Sequence, residues 1–577
     1  MKMILKYLRP FRGRMCLGLA IKIIGTVMDL ILPYILAHII DNVVPTKALK
    51  PVLFWGALMV LCALVGVTGN IVANRMAARV ARNTSEQLRH DLFSRIMHLS
   101  CRQIDLLTIP SLESRLTSDT YNVHHMIGMI QRMGVRAPIL LIGGIAVSAT
   151  LEPMLTLVLV AVLPFITIIV LGISRRGIPL YTKLQQNVDR LVRVVRENAQ
   201  GVRVIKALSK TDYERRHFDA VNRDVVAAEK KAGITMAASN PLMNFFLNTG
   251  LTCVIVVGAF RVNGGASNPG SIIAFMSFFT MISNAMLAVT RIFVMLSKGT
   301  ASANRIAEVL EIDPDLAVES TDTYPRKRDG DEGYITFEKV SFSYNKTKNN
   351  LTDISFRVPR GGTLGIIGAT GSGKSTIVQL LMRFYDVDSG SVRIGGQDVR
   401  TFPLGELHRK FGVAMQNDFL YAETMEENIA FGRELSRREI EFAAELAQAA
   451  PFIAEFDEGY LHMLTAKGTN ISGGQKQRTL IARALAAKPE ILILDDSSSA
   501  LDYKTDANLR RAIAENLGGQ TTTVVVAQRI SSVMNADVIL VIDEGRIIGM
   551  GSHDELMAGC DIYREISDSQ MGGAILE

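Results

Sequence analysis

The chain has 577 residues, of which 48% are hydrophobic and 21% charged, with a formal net charge of +7 at pH 7. This length predicts several domains, and the apolar content is high for a soluble protein of this size. Long apolar runs fill about the first 300 positions and Lys and Arg crowd between them, so the charge indicates membrane orientation and argues against nucleic-acid binding.

Six apolar segments are candidates for crossing a bilayer, which takes about 20 apolar residues in a helix. They are 15–40, 52–73, 137–151, 154–173, 232–260 and 272–290, and the third needs its flanking residues to reach that length. The N-terminal stretch MKMILKYLRPFRGR has five basic residues and no acidic one, which favours a cytoplasmic N-terminus. We therefore expect a multi-pass protein of the cell inner (plasma) membrane, in contact with the lipid bilayer.

Two of the connections between these segments, 74–136 and 174–231, are long, charged and helical in pattern. The apolar helices are therefore expected to continue well into the cytoplasm. Pro110 interrupts the first connection within 108–119, and Gly201 lies in the second within 196–208. Each of these stretches is predicted to form a short transverse helix at the far end of a long helical hairpin.

Charged residues inside the first apolar segment are costly in a membrane and usually face the bundle interior. Lys22 and Asp29 are seven residues apart and share a helix face. Arg291, directly after the last segment and low on its helix, is a candidate partner for Asp29. These residues either hold the bundle together or contact a polar or charged group of a bound substrate.

The composition changes after about residue 316. Residues 317–333 are polar and rich in turn formers, as expected of a linker. Strand-like alternation begins at 334. We therefore expect an all-α transmembrane domain at 1–316 and a soluble α/β domain at 334–577.

The apolar run GTLGII leads into GATGSGKST and then into an amphipathic helix. This strand–loop–helix context fits the phosphate-binding P-loop, in which glycines let backbone N–H groups surround phosphate oxygens. Lys374 can reach the β- and γ-phosphates, and the Ser375 hydroxyl can ligate Mg²⁺. The predicted nucleotide-binding residues of this loop are Gly368, Thr370, Gly371, Ser372, Gly373, Lys374, Ser375 and Thr376.

Two further stretches complete the expected nucleotide chemistry. ILILD reads as a buried parallel strand, and it places Asp495 at the strand's C-terminal end, where it can hold Mg²⁺. ISGGQ opens a long helix and forms a second anion site at Ser472, Gly473 and Gly474. That site suits a nucleotide held by another copy of the domain better than the P-loop of its own chain.

Together, ATGSGKST, ISGGQ, ILILDD and SALD resemble in order and spacing the motifs of ABC exporter half-transporters, a B-family-like multidrug exporter type, over essentially the full length. The resemblance implies six membrane helices with long cytoplasmic extensions, a cytoplasmic P-loop NTPase domain, and ATP with Mg²⁺. It implies that Tyr344 stacks on adenine, that Gln416 contacts Mg²⁺ and the coupling helices, and that Asp502 lies at the dimer interface. It identifies 108–119 and 196–208 as coupling helices, and Ser472, Gly473, Gly474 and Gln475 as the signature that covers a partner's nucleotide.

Two positions depart from the family pattern. Asp496 stands where the family has a Glu that acts as general base, and its side chain is one methylene shorter. Gln528 stands where the family has a His, and Gln cannot carry a positive charge. The pattern resembles heterodimeric bacterial exporters that combine one degenerate and one consensus site.

We therefore expect an exporter of amphipathic small molecules or drugs that pairs with a different half-transporter, whose own site supplies Glu and His. The alternatives are a lipid or peptide exporter, a homodimer with two slow sites, and a regulatory subunit that binds ATP and gates its partner. The apolar segments exclude a soluble SMC-like or repair ATPase.

Overall fold

The structure is a computed structural model, and it describes residues 2–320, 322–324, 333–416, 418–497 and 499–571. The chain forms two compact units. The first contains Met1–His98 and Pro110–Ile312, and the second contains Leu99–Ile109 and Asp313–Glu577. The expected linker, 317–333, lies partly outside the described residues, and the proposed domain boundaries stay predictions.

The first unit is helical because its apolar runs leave backbone groups that only local hydrogen bonds can satisfy in a membrane. In chain order, the helices up to the end of this unit are α1 (Lys2–Leu8), α2 (Arg12–His38), α3 (Leu49–Met97), α4 (Cys101–Leu107), α5 (Ile109–Ser114), α6 (Thr120–Met133), α7 (Arg136–Leu151), α8 (Pro153–Gln200), α9 (Val202–Ala207), α10 (Thr211–Ala237), α11 (Ser239–Asn263) and α12 (Pro269–Leu310).

Five helical stretches of the described chain are long and apolar enough to cross a membrane. They are Met3–Thr46, Leu49–Met97, Ile109–Leu151, Thr211–Asn263 and Pro269–Leu310, and a shorter apolar helix covers Pro153–Ile169. Each of the six segments expected from the sequence overlaps one of these stretches. Because one is shorter than the others, the count of six spans stays a prediction.

Helices α2 and α3 approach closely at a pair of glycines. A Cβ added to Gly25 would lie 3.2 Å from the backbone oxygen of Gly66 and 3.4 Å from the backbone nitrogen of Asn70. Small residues permit this close approach, which is a common way to pack membrane helices. A core of this unit contains large buried side chains of α2, α8 and α12, including Leu30, Leu155, Phe275, Phe278 and Ile282.

The partner suggested for Asp29 was wrong. A guanidinium nitrogen of Arg136 lies 3.1 Å from Asp29 Oδ2, and the Asn70 amide donates to the same oxygen at 3.3 Å. Arg291 is exposed and forms no ion pair with Asp29. The reason is tertiary: Arg136 begins α7, which packs against α2 in this unit.

The short helices differ in detail from the ranges read from the sequence. Helix α9 (Val202–Ala207) lies inside 196–208 and follows the break at Gly201. Helix α4 (Cys101–Leu107) lies just before 108–119, and the chain turns at Thr108, whose φ is 62°. The assignment of either segment as a coupling helix stays a prediction.

The second unit contains two β-sheets. Strands β1 (Ile335–Phe342), β2 (Leu351–Val358), β4 (Ser389–Ile394) and β5 (Gln397–Asp398) form an antiparallel sheet in the order β2-β1-β4-β5. The other sheet has the order β10-β9-β3-β8-β7-β6 and is parallel except for the pair β9–β10. Its strands are β3 (Thr363–Gly368), β6 (Phe411–Ala414), β7 (Ile491–Asp495), β8 (Thr522–Val526), β9 (Val538–Asp543) and β10 (Arg546–Gly551).

Nine α-helices of the described residues surround these sheets. They are α13 (Lys374–Leu381), α14 (Leu404–Arg409), α15 (Met425–Ala430), α16 (Arg437–Leu446), α17 (Ala450–Ile453), α18 (Gly473–Leu485), α19 (Tyr503–Leu517), α20 (His553–Gly559) and α21 (Asp561–Met571). Strands β3, β8 and β7 lie side by side and parallel, so their C-terminal ends meet at one edge. Ligands of open α/β sheets bind at such an edge.

Candidate functional site

The loop between β3 and α13 has the backbone shape of a phosphate cradle. Gly371 and Gly373 have φ angles of 83° and 106°, in the left-handed region that favours glycine. A Cβ on Gly373 would also lie 2.7 Å from Leu351 Cδ2, whereas no atom lies within 4 Å of a Cβ on Gly371. Gly371 therefore borders open space, and the free N–H groups at the start of α13 face an anion site.

The P-loop lysine is held over this loop by its own chain. Lys374 Nζ donates to the carbonyl oxygens of Gly368 at 2.9 Å and Ala369 at 2.8 Å. Burial lowers the pKa of Lys374, and the nearby carboxylates of Asp496 and Asp495 oppose that shift. An ammonium held only by neutral carbonyls can readily turn toward a phosphate.

Asp495 and Ser375 form the oxygen pair expected for a magnesium site. The Ser375 hydroxyl donates to Asp495 Oδ1 at 3.1 Å. Burial raises the pKa of Asp495, which is only 2% exposed, while the Ser375 hydrogen bond opposes the shift and the neighbouring Asp496 adds to it. Carboxylate and hydroxyl oxygens are ligands suited to Mg²⁺, so these residues fit that ion.

Ser372 also fits a bound nucleotide. It is 5% exposed, and its Oγ has no hydrogen-bond partner in the described part of the chain. A buried hydroxyl without a partner costs free energy unless a ligand completes its hydrogen bonding. The loop therefore has a polar group available for a phosphate.

Asp496 lies at the centre of a small amide network. Gln416 Nε2 donates to Asp496 Oδ2 at 3.0 Å, and Gln528 Nε2 donates to the same oxygen at 2.9 Å. Burial raises the pKa of Asp496, and Lys374 and both amides oppose this shift. The backbone of Asp496 has a φ of 48°, a left-handed conformation that Asp tolerates better than most residues.

Most of these groups line one cavity of about 190 Å³, but the predicted residues Gly368 and Ser372 are not among its lining. Most residues predicted for the nucleotide site are among its lining: Thr370, Gly371, Gly373, Lys374, Ser375, Thr376, Gln416, Asp495, Asp496 and Gln528. Asn350, Val526 and Ala527 also line it and were missed by the sequence analysis. The motifs gave no signal for Asn350, because it approaches the loop through the packing of Asn350 and Leu351 against Gly373, far along the chain.

Tyr344 lies beside the nucleotide loop and outside this cavity lining. Its hydroxyl donates to Gln379 Oε1 at 2.5 Å and lies 3.2 Å from Thr376 Oγ1, which can donate to the Tyr344 oxygen. Its ring packs edge-on against Tyr385, with centroids 5.1 Å apart. The predicted stacking on adenine stays a prediction, and the ring is adjacent to the helix that would carry the phosphates.

The signature residues do not line the cavity of their own P-loop. Ser472 caps α18: its hydroxyl accepts from Gln475 N–H at 3.3 Å, and its N–H donates to Gln475 Oε1 at 2.9 Å. A Cβ on Gly474 would lie 3.2 Å from the carbonyl oxygen of Ala500. The SALD segment therefore packs directly against the signature glycines.

Asp502 has a structural role that the sequence analysis did not anticipate. Its carboxylate caps α19 by accepting from the N–H of Thr505 at 2.9 Å and from the Thr505 hydroxyl at 2.8 Å. This cap fixes the end of the segment that packs on the signature. Its predicted position at a dimer interface stays a prediction.

Comparisons with known proteins agree with this architecture. Residues 15–286 match the family model described as ABC transporter transmembrane region, and residues 351–499 match the one described as ABC transporter. The uncharacterized ABC transporter ATP-binding protein YfiB of Bacillus subtilis (strain 168) is 33% identical over 574 residues, which cover 99% of each chain.

A second relative from the same organism, the uncharacterized ABC transporter ATP-binding protein YknU, is 32% identical over 570 residues, covering 98% of this chain and 96% of that protein. A solved structure described as a bacterial Atm1-family ABC exporter with ATP bound has a TM-score of 0.81 at 23% identity, covering 97% of this chain and 98% of the other. This likeness shows the fold. The expected class, a helical membrane domain followed by an α/β nucleotide-binding domain, is confirmed.

Proposed function

The chain belongs to the ABC transporter family, with the domains of an exporter half-transporter, and on this premise we propose that its own site binds ATP but hydrolyses it slowly. The chain then works with a different half-transporter, whose consensus site is completed by this chain's signature. The cargo is an amphipathic small molecule, which leaves the cell by alternating access. The observation that carries the proposal is the amide network around Asp496.

Asp496 is poorly placed to act as a general base. A base must lie within hydrogen-bond reach of the water proton that it removes. Oδ2 already accepts two hydrogen bonds, from Gln416 at 3.0 Å and Gln528 at 2.9 Å. A carboxylate that is one methylene short and held by two amides cannot easily advance toward the nucleotide.

Gln528 reinforces this arrangement because its amide is neutral at every pH. A His at this position could carry a charge near a γ-phosphate, whereas Gln can only donate a hydrogen bond. In this structure one N–H of that amide donates to Asp496. Both departures therefore favour retention of nucleotide over its cleavage.

The residues expected to bind the phosphates and Mg²⁺ are suited to those roles. Lys374, the glycines of the loop and the unpartnered Ser372 hydroxyl would hold the phosphates. Asp495 and Ser375 would hold Mg²⁺, which neutralises phosphate charge when bound. Gln416 was predicted as a third metal contact, and here it donates to Asp496.

The intact signature supports the proposed difference between a slow site in this chain and a competent site in its partner. The capping box at Ser472 and Gln475 leaves α18 with a well-formed N-terminus for an anion. This end does not line the chain's own nucleotide cavity. A head-to-tail partner is the arrangement that would use it, with both nucleotide-binding domains in the cytoplasm and both helical domains in the inner membrane.

The test compares ATPase rates of the full-length chain, wild type and Asp496→Glu/Gln528→His, each purified alone and together with a partner half-transporter. General-base catalysis is worth roughly 100- to 10,000-fold, so we expect the double variant to hydrolyse ATP at least about 10-fold faster. Binding of a fluorescent ATP analogue should be similar in both proteins. Lys374→Ala in each background is the control, because it removes the phosphate contact and should abolish both readouts.

A wild-type chain that hydrolyses ATP as fast as an active double variant contradicts the slow-site proposal, as does a wild-type chain that alone hydrolyses ATP at full exporter rates. Formation of a stable active homodimer would replace the heterodimer proposal with the homodimer alternative. If the chain binds ATP and raises a partner's ATPase, but no transport occurs with either protein, the regulatory alternative is favoured instead.

A further inference from the structure

The helical unit contains a cavity of about 830 Å³ between α2, α3, α6, α7 and α12. This volume falls within the range of about 300–1,000 Å³ typical of small-molecule sites. All of its lining residues belong to the first unit. The cavity is separate from the nucleotide site and has no role in the chemistry described above.

The polar side of the cavity is strongly basic. Lys22, Arg132 and Arg136 line it, and no Asp or Glu is among the lining residues that the structure describes. Asp29 pairs with Arg136 at 3.1 Å and balances one of the three positive charges. Two cations, those of Lys22 and Arg132, remain without a carboxylate partner in the described residues.

Lys22 is the most deeply buried of the three basic residues. It is 2% exposed, and its ammonium donates to Asn74 Oδ1 at 3.0 Å. An ammonium has three donors, and a buried charge is costly unless it is paired. Arg132 is similar: its Nε donates to the carbonyl oxygen of Gly128 at 3.0 Å, which leaves the other donors of its guanidinium for a ligand.

The rest of the cavity wall is apolar and adaptable. Met129, Met133 and Met281 line it together with Leu140. Methionine side chains are flexible and fit irregular apolar ligands. The cavity thus combines a cationic end with an apolar wall, which is the complement of an amphipathic anion.

We propose that this cavity is the substrate site and that it selects amphipathic anions, with the acidic group between Lys22 and Arg132 and the apolar body against the methionines. The inference rests on the proposed export of amphipathic molecules, and it names the charge of the cargo. The preference for anions follows from the net positive charge of the cavity, because Asp29 balances only one of its three basic residues. A cationic amphipath, by contrast, would meet uncompensated positive charge.

The experiment measures binding by the full-length chain in nanodiscs of neutral phosphatidylcholine, without nucleotide. The probes are three dansyl-labelled undecyl chains that differ only at the end group: carboxylate, neutral amide or ammonium. We expect the carboxylate to bind at least about 10-fold more tightly than the ammonium probe at pH 7.5, a preference that added salt weakens.

The variants Lys22→Met and Arg132→Gln should each reduce that preference about 10-fold, as expected when one charge-assisted hydrogen bond is lost. Lys22→Arg should retain it, which distinguishes loss of charge from misfolding. Arg223→Gln is the matched control, because Arg223 is an exposed residue of α10 outside the cavity. A preference that is absent in the wild type, or unchanged by both cavity variants, overturns the proposal.

Nanodiscs containing phosphatidylglycerol distinguish the two sources of such an anion. Competition by this lipid that disappears in Lys22→Met shows that an anionic lipid occupies the site, and lack of competition points to a soluble anion. Either result agrees with an anion site. Because binding is measured without ATP, a fast-hydrolysing wild type would overturn the slow-site proposal and leave this result unaffected.

Discussion

Replacing Tyr385 with Phe tests how the short helix α4 is held on the C-terminal unit to which it belongs. The Tyr385 hydroxyl donates to Asp105 Oδ2 at 2.7 Å. Two further hydrogen bonds hold the same segment: Ser100 Oγ to Asp315 Oδ2 at 2.9 Å, and Gln103 Nε2 to the carbonyl oxygen of Asp313 at 2.7 Å. The variant removes one of these three hydrogen bonds and keeps the aromatic ring.

The free energy expected for the hydrogen bond between Tyr385 and Asp105 depends on how far the Asp105 carboxylate is exposed to solvent. A hydrogen bond to a charged group is worth about 1.5–3 kcal/mol in general, and Asp105 is exposed to solvent, so roughly 1 kcal/mol is expected here. That corresponds to about a fivefold change in the opening equilibrium of α4. Burial and the Asp105 hydrogen bond raise the pKa of Tyr385, so the hydroxyl remains a donor and the effect should be constant across neutral pH.

Hydrogen exchange followed by mass spectrometry measures this opening directly. Peptides covering 101–107 should exchange about fivefold faster in Tyr385→Phe, while those from α18 and α19 should not change. Tyr421→Phe is the control, because Tyr421 is an exposed tyrosine of the same unit. Equal exchange in wild type and Tyr385→Phe, or equal acceleration in the control, would refute the attachment.

Three other changes have defined outcomes. Arg305 Nε donates at 2.8 Å to Asp119, whose side chain is 2% exposed. Asp119→Ala should therefore lower the stability of the helical unit by roughly 1–2 kcal/mol in a detergent-unfolding assay. An unchanged unfolding midpoint contradicts this expectation. Ser472→Ala removes the cap of α18, which is worth about 1 kcal/mol. The variant should slow ATP hydrolysis by a complex with a consensus partner, and nucleotide binding at this chain's own site should be unchanged. Weaker nucleotide binding at that site would count against the separate role of the signature. Because burial raises the pKa of Asp496, the folded state binds this proton more tightly than the unfolded chain, so stability falls as pH rises from the ordinary carboxyl value through the raised one. Asp496→Asn should therefore melt higher than wild type at pH 7, and the gap should narrow toward pH 4 in thermal scans; a constant gap contradicts the shift.

The local parts of the site were predictable because they depend on contiguous sequence. The loop around Gly371 and Gly373 and the carboxylate at the end of β7 need only a strand, a turn and a helix in succession. Because β3 and β7 belong to the same parallel sheet, their C-terminal ends bring Asp495 close to Ser375, and the motif order alone predicts this contact. Motif spacing therefore indicates both the residues and their chemistry.

The remaining features depend on contacts between distant segments. The pairing of Asp29 with Arg136 across 107 positions depends on the packing of α2 against α7, and helical periodicity on one segment cannot reveal it. Asn350 reaches the nucleotide cavity through the fold. The junction of α4 with α5 depends on the turn at Thr108 rather than on Pro110, because proline is well tolerated in the first turn of a helix.

The capping box of α18 has a consequence for the speed with which two such chains engage. In the described structure the Ser472 hydroxyl accepts its hydrogen bond from Gln475, and a serine hydroxyl has one hydrogen of its own to donate. That hydrogen can turn to an incoming phosphate while the cap stays intact. The N-terminal end of α18 is thus preorganised for a phosphate, so docking there costs little conformational entropy. We expect the encounter of the two nucleotide domains to be limited by diffusion and domain motion, with no local refolding step at the signature.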